Sequence, residues 1–344
     1  MSAPALPSPI DPAFLSRLDD DFVEYYNKHL AIKPATHNIT IENIRATPER
    51  FALPWYRDFT YEPFVKDIKL KAEDGHEFVV RCYHPDPRTS PFGEGPYPIH
   101  INFHGGGFVL GGLTADAELC MLMRNRVGII VMDVDYRLSP ENTFGKGHDD
   151  AWAAICWAAQ NGKELNGRPD SISIGGISAG GHISAVCQQL ARDEKIDLKL
   201  AILSVPATWK GDDMHEPSDS PYPSVSENEN APCLNWKRLK FFRSLYDPKT
   251  DAEKAEIVAR PVCYISPLDG NLEGVCRTYV ATAGCDPLRD EGEDYARKLV
   301  KNGVQVTVRR YTGVPHPFMH MLVVNKAQMY IDDICAHLRM AHGA

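Results

Sequence analysis

A serine set among small residues, Gly176-Ile177-Ser178-Ala179-Gly180-Gly181, follows the short apolar run Ser171-Ile172-Ser173-Ile174 and leads into a helix-like stretch. Between a strand and a helix, G-x-S-x-G places the serine on a sharp, strained turn. Small neighbours let the chain pass, and the hydroxyl points outward. The helix that starts there aims its first N–H groups and its positive dipole end at whatever reacts at Ser178. Such a serine can attack an acyl carbon. The same pentapeptide could also be a glycine-rich helix start. The other parts of an acyl-transfer site must therefore decide: oxyanion donors, a base, and a group that orients the base.

The donors are expected in His104-Gly105-Gly106-Gly107-Phe108, directly after the apolar run Ile99–Phe103. Successive N–H groups of Gly105, Gly106 and Gly107 can point at one spot with no side chain in the way, and the Ala179 N–H adds another donor. His104 is expected to brace the loop rather than react. The base is expected after the last strand, at His316 in Tyr311-Thr312-Gly313-Val314-Pro315-His316-Pro317-Phe318, where two prolines stiffen the chain. His320 is its rival but is expected inside the helix that follows. His182, one turn past Ser178, is near but poorly placed. The orienting acid is expected at Asp286 in Gly284-Cys285-Asp286-Pro287-Leu288-Arg289-Asp290, at a strand's carboxyl end; Asp290 reads as a first-turn acid of the next helix. The order nucleophile, acid, base is that of an α/β-hydrolase, not of chymotrypsin or subtilisin.

The elements that must position these residues alternate. An amphipathic helix is expected to begin at Asp11-Pro12, with Phe14, Leu15, Leu18, Phe22, Tyr25 and Tyr26 on one face. A hairpin follows, 64–70 with 77–84 around Asp74-Gly75. Strands at 99–103, 128–134, 171–174, 198–204, 278–283 and 304–310 and helices at 149–161, after Ser178, at 290–302 and at 321–340 predict a mostly parallel sheet covered on both faces. The rhythm breaks between 207 and 269, a polar stretch that also holds Trp209, Tyr222, Trp236, Phe241, Phe242 and Tyr246. It is too long for a structureless loop and predicts a helical insertion.

The chain has 344 residues, 43% of them hydrophobic and 24% charged, with a formal charge of −9 and no basic block. That is an ordinary globular composition without a nucleic-acid footprint. No run approaches the ~20 apolar residues of a membrane helix, and the start lacks the pattern of a secretory signal. Nine cysteines, odd in number and none in C-x-x-C, predict reduced thiols in a cytoplasmic protein and no zinc site. No metal or organic cofactor is expected.

Together these residues closely resemble the hormone-sensitive-lipase-like family of α/β-hydrolases, which includes many microbial carboxylesterases. The family's H-G-G-G stands at His104–Gly107 and its G-D-S-A-G-G elbow at Gly176–Gly181. Asp286-Pro287-Leu288-Arg289-Asp290 and Tyr136-Arg137-Leu138-Ser139-Pro140-Glu141 match two further segments, the second read as a structural element behind the oxyanion loop. The elbow departs from the family at Ile177, where an aspartate is usual. The stretch 226–234 looks like variants from fungal secondary metabolism.

The resemblance implies an α/β-hydrolase fold with an eight-stranded, mostly parallel sheet and a helical cap. The cap would comprise residues 1–50 and 207–269, over a catalytic domain of 51–206 and 270–344. It implies hydrolysis of a small-molecule carboxylic ester by Ser178, Asp286 and His316, with Phe108, Ile177, Trp209 and Phe241 expected at the substrate pocket. A thioester, lactone or acyl-transfer reaction on a polyketide-like product stays open. So does a non-catalytic binder of the gibberellin-receptor kind, although such receptors lack the base. Dimers are common in the family, which leaves a homodimer open.

Overall fold

The computed structural model describes residues 9–47, 59, 62–211 and 214–344; the expected cap boundary at 50/51 lies outside them. Eight strands form one sheet in the order β1-β2-β4-β3-β5-β6-β7-β8. They are β1 (Val65–Lys71), β2 (Glu77–Tyr83), β3 (Tyr97–Phe103), β4 (Ile130–Val134), β5 (Gly167–Ile177), β6 (Leu198–Ser204), β7 (Thr278–Cys285) and β8 (Val306–Pro315). The first hairpin and the β2–β4 pair are antiparallel, and the remaining neighbours are parallel.

Alternation along the strands builds two cores. Ile130, Met132 and Val134 face one with Ile99, Ile101, Ile172 and Ile174, under helices α4 (Lys146–Asn161), α5 (Ala179–Asp193) and α9 (Arg289–Lys301). Ile129, Val131, Leu200, Ile202, Tyr279 and Tyr311 face the other, under α3 (Ala117–Val127), α10 (Asn325–His342) and α1 (Asp20–His29). With both faces covered, every residue of β3 and β4 is buried, including the polar His100, which meets Ser173 at 2.9 Å, and Asn102, which donates to Asp133 at 2.9 Å.

Parallel register aligns the strand ends. Phe103 of β3 pairs with Gly176 of β5, Ile177 with Ser204 of β6, Ser204 with Ala281 of β7, and Cys285 with Pro315 of β8. The loops carrying His104, Ser178, Asp286 and His316 therefore leave the sheet along one edge, which is where ligands meet such sheets.

Several elements differ from expectation. The N-terminal helix is broken into a six-residue 3-10 segment, Pro12–Arg17, and α1, because the Asp19 N–H is taken by the Gly313 carbonyl at 2.8 Å. Leu15 of the expected face is exposed. Helix α3 has no sequence signal of its own, since Leu119, Cys120, Met121, Met123 and Val127 are buried around it. Gly128, expected to open β4, instead ends α3 with φ +76°. Helix α4 starts at Lys146 rather than 149. Helix α10 starts at Asn325, where Asp21 of α1 accepts the Asn325 N–H at 2.8 Å. The stretch between β6 and β7 is helical, with α6 (Pro223–Glu227), α7 (Trp236–Tyr246) and α8 (Asp251–Val258); α2 (Ile41–Ala46) lies in the N-terminal segment. Among the described residues, no helix is long and apolar enough to cross a membrane.

Candidate active site

Ser178 occupies the turn between β5 and α5 at φ +59°, ψ −115°, a conformation costly for a residue with a Cβ. Its N–H is held by the Ser204 carbonyl at 2.8 Å, and its own carbonyl accepts the His182 N–H at 2.9 Å. A Cβ on Gly176 or Gly180 would overlap the Phe103 carbonyl, so both glycines are what let the elbow close against β3. Ala179 opens α5, and its N–H is one of those that a helix start leaves without an intrahelical acceptor.

The glycine loop lies against this turn. A Cβ on Gly105 would sit 3.0 Å from the Ile177 carbonyl and 3.6 Å from the Ser178 Cβ. Gly106, Gly107 and Phe108 follow with φ of +129°, +62° and +64°. His104 braces the loop. Its Nδ1 lies 2.8 Å from the Gly105 carbonyl, and its ring stacks on Tyr136 at 4.2 Å. Burial pushes its pKa down, so the imidazole stays neutral.

The segment 136–141 stands behind this loop. Tyr136 donates to the His104 carbonyl at 2.7 Å, and the Ser139 N–H donates to that of Phe108 at 2.9 Å. Arg137 is fastened to Asp150 and Asp74. Arg45 of α2 adds a tether that sequence reading missed, donating to the Val109 and Ser139 carbonyls and pairing with Glu141.

Asp286 and His316 meet beyond the ends of β7 and β8. His316 Nδ1 lies 2.8 Å from Asp286 Oδ2, while Asp286 Oδ1 accepts the Leu288 N–H at 2.9 Å. The aspartate is completely buried and the histidine 5% exposed. His316 lines a cavity of about 590 Å³ together with Ser178, Ile177 and Gly105–Gly107. The structure thus gathers the expected serine, histidine and glycines around one space, with Asp286 behind the histidine.

The two rival histidines are engaged elsewhere. His320 sits in a 3-10 turn, Phe318–His320, rather than in α10, with Nε2 2.7 Å from Asp116 Oδ1. His182 has ring nitrogens 2.9 and 3.0 Å from the Ala207 and Tyr264 carbonyls. Elsewhere in the fold the His342 nitrogens are 2.9 and 2.8 Å from the hydroxyls of Ser171 and Ser173. Both nitrogens are occupied by hydroxyls, which leaves no place for an orienting carboxylate. This contact fastens the end of α10 to β5.

A family profile described as alpha/beta hydrolase fold matches residues 100–320, the span from β3 to the turn after His316. The chain belongs to the hormone-sensitive-lipase-like family of α/β-hydrolases. An AB hydrolase superfamily protein of Schizosaccharomyces pombe is 30% identical over 94% of each chain. Carboxylesterase NlhH of Mycobacterium tuberculosis is 35% identical over 72% of this chain and 73% of its own. The esterase of Pyrobaculum calidifontis superposes with a TM-score of 0.78 at 29% identity, over 94% of this chain and 99% of that one.

Within this hormone-sensitive-lipase-like frame, the remaining pocket expectations divide. Ile177, the departure in the elbow, is on the cavity wall. Phe108 and Trp209 line a separate cavity of about 440 Å³ with Phe144, His182 and Tyr246. Phe241 lines neither of these cavities. Its neighbour Phe242 lines the cavity of Ser178 and is buried, whereas Phe241 is half-buried.

The cavity wall also includes Thr36, Ile44 and Arg45 from the N-terminal segment, Asp116 and Glu118 beside α3, and Cys233 and Arg238, none of which sequence reading singled out. Asp290 is in the first turn of α9 as expected, yet its carboxylate reaches outward and accepts the Ser224 N–H of α6 at 2.8 Å. Next to it, buried Glu291 accepts the Thr208 N–H at 2.7 Å. Burial, aided by the charge of Asp286, pushes its pKa up to about 8.

Proposed function

We propose that this protein is a serine carboxylic-ester hydrolase. The observation that carries the reading is the 2.8 Å contact of His316 Nδ1 with buried Asp286, made by a histidine that shares one cavity with Ser178 and the glycine loop. Ser178 attacks the ester carbonyl while His316 removes its proton through Nε2. The N–H groups of Gly105–Gly107 and Ala179 receive the oxyanion. Asp286 keeps the Nδ1 proton on the imidazole and offsets the charge that His316 gains. His316 then protonates the leaving alcohol, an acyl-enzyme remains, and water activated by the same histidine releases the acid.

Residues 1–50 and 207–269 form the cap over the catalytic domain, 51–206 and 270–344. This assignment is supported by Arg17, which donates to the Glu227 carbonyl and to Asn228 at 2.8 Å each, and by the wall shared between Thr36, Ile44, Phe242 and the glycine loop. The cavity suits short to medium esters of small molecules. The nine unpaired thiols support a reducing compartment such as the cytoplasm.

The test is Ser178→Ala. Hydrolysis of short-chain p-nitrophenyl esters falls by about 10⁴-fold or more, with an unchanged circular dichroism spectrum and melting temperature. Retained turnover in a folded Ser178→Ala protein overturns the assignment.

A further inference from the structure

A second cavity of about 590 Å³ adjoins the one at Ser178, and the two share Thr36, Cys233, Arg238, Pro317 and His320 as a common wall. Arg238 stands in that wall without an acidic partner. Its Nη1 donates to the Cys233 carbonyl at 2.7 Å and its guanidinium lies over the Phe242 ring at 5.4 Å. Its Nε is buried with no hydrogen-bond partner, and among the described residues no carboxylate is within ion-pair distance of it. A guanidinium held this way is costly to desolvate and ready to accept an anion.

The surroundings share the same sign. The second cavity is also lined by Lys237, with Asp11 as its one carboxylate among the described residues, and Asp11 accepts the Ala13 N–H. Lys237 and Arg238 fall in the first turn of α7, which holds no acidic residue, so both cations work against the helix dipole. The acids nearest Ser178 do not neutralise this wall. Asp116 is taken by His320 and Asn102, and Glu118 lines the first cavity but not the second. Cys233 takes φ +69°, a strained value for a residue with a side chain, and its carbonyl holds the guanidinium.

We propose that Arg238 is a specificity-determining residue that binds a carboxylate on the non-reacting part of the ester, so that the preferred substrates are anionic esters reaching from Ser178 to the shared wall. This rests on the ester-hydrolase reading. Arg238 anchors the remote carboxylate in bidentate fashion, and the neutral part of the chain fills the apolar stretch beside Phe242 and Leu234.

The experiment compares matched pairs on the purified full-length enzyme. On the acyl side, p-nitrophenyl monoesters of glutaric, adipic and suberic acid are set against p-nitrophenyl pentanoate, hexanoate and octanoate. On the alcohol side, 6-acetoxyhexanoate is set against hexyl acetate. The wild type is expected to show higher kcat/KM for the anionic member of at least one pair, chiefly through KM. Arg238→Met removes that preference, lowering the anionic kcat/KM by roughly 10- to 100-fold more than that of the neutral ester, and Arg238→Lys keeps part of it.

Preference for the neutral member throughout both series overturns the proposal, as does an equal loss on both members in Arg238→Met. Should Arg238→Met fail to fold, the wild type still decides: adipate must inhibit neutral-ester hydrolysis more strongly than adipamide, and equal inhibition overturns the proposal. Wild-type enzyme that hydrolyses no ester at all would instead sink the ester-hydrolase reading.

Discussion

The sheet edge carrying Ser178, Asp286 and His316 and the wall that stands over it are built by different means. At the edge, backbone geometry rules. Strand register lines up Phe103, Ile177, Cys285 and Pro315, glycines pass where a Cβ would overlap a carbonyl, and the proposed oxyanion donors are main-chain N–H groups. In the wall, side chains from distant parts of the chain meet: Thr36 and Arg45 from before the sheet, Asp116 and Glu118 beside α3, Cys233, Arg238 and Phe242 from between β6 and β7. The first arrangement tolerates little substitution because main-chain positions are set by the whole sheet. The second can change one side chain at a time, which is how one fold serves many substrates.

The comparison is most exposed to failure at Asp286. Asp286→Asn leaves the hydrogen bond to His316 nearly isosteric but favours the wrong tautomer, and turnover is expected to fall by about 10⁴-fold. A loss under tenfold would mean that the edge does not orient its base through this pair.

Gly107 is where edge and wall touch, since a Cβ there would lie 2.5–2.8 Å from the Phe242 ring. Gly107→Ala is expected to displace an oxyanion donor and cost roughly 10²–10³ in kcat. Adding Phe242→Leu relieves the overlap but not the φ of +62°, so the double variant recovers only part. Full recovery would put the whole constraint in the wall, and no recovery would put it in the backbone.

The smallest effect on turnover is expected at Glu291, whose change is read in stability. Its pKa rises from 4.5 to about 8 on folding, so its contribution is complete below 4.5 and is lost as pH climbs through 8. Relative to Glu291→Gln, the wild type should lose on the order of 1 kcal/mol in urea unfolding between pH 6 and pH 9. A constant difference between the two proteins across that range would show that Glu291 does not change its proton affinity on folding.

Much of the edge was legible because its signals are local. A strand followed by Gly-x-Ser-x-Gly, three glycines after Phe103, a histidine between prolines and an aspartate after a strand each state their geometry within a few residues. Elements decided by distant partners were not. The break in the N-terminal helix depends on the Gly313 carbonyl, the start of α10 on Asp21, and α3 is too evenly buried to show a face. Phe241 and Phe242 are neighbours on α7, and only packing shows that Phe242 lines the cavity of Ser178.

By itself the sequence determined the family and the chain order of Ser178, Asp286 and His316 with the glycine loop before them, because these rest on residue types at short range and on backbone freedoms that glycine and proline announce. Only the tertiary structure decided which side chains close the cavity. Arg45, Arg238 and Phe242 come to line the cavity of Ser178 through contacts between segments far apart in the chain, and no local pattern records where a long side chain ends once the chain has folded.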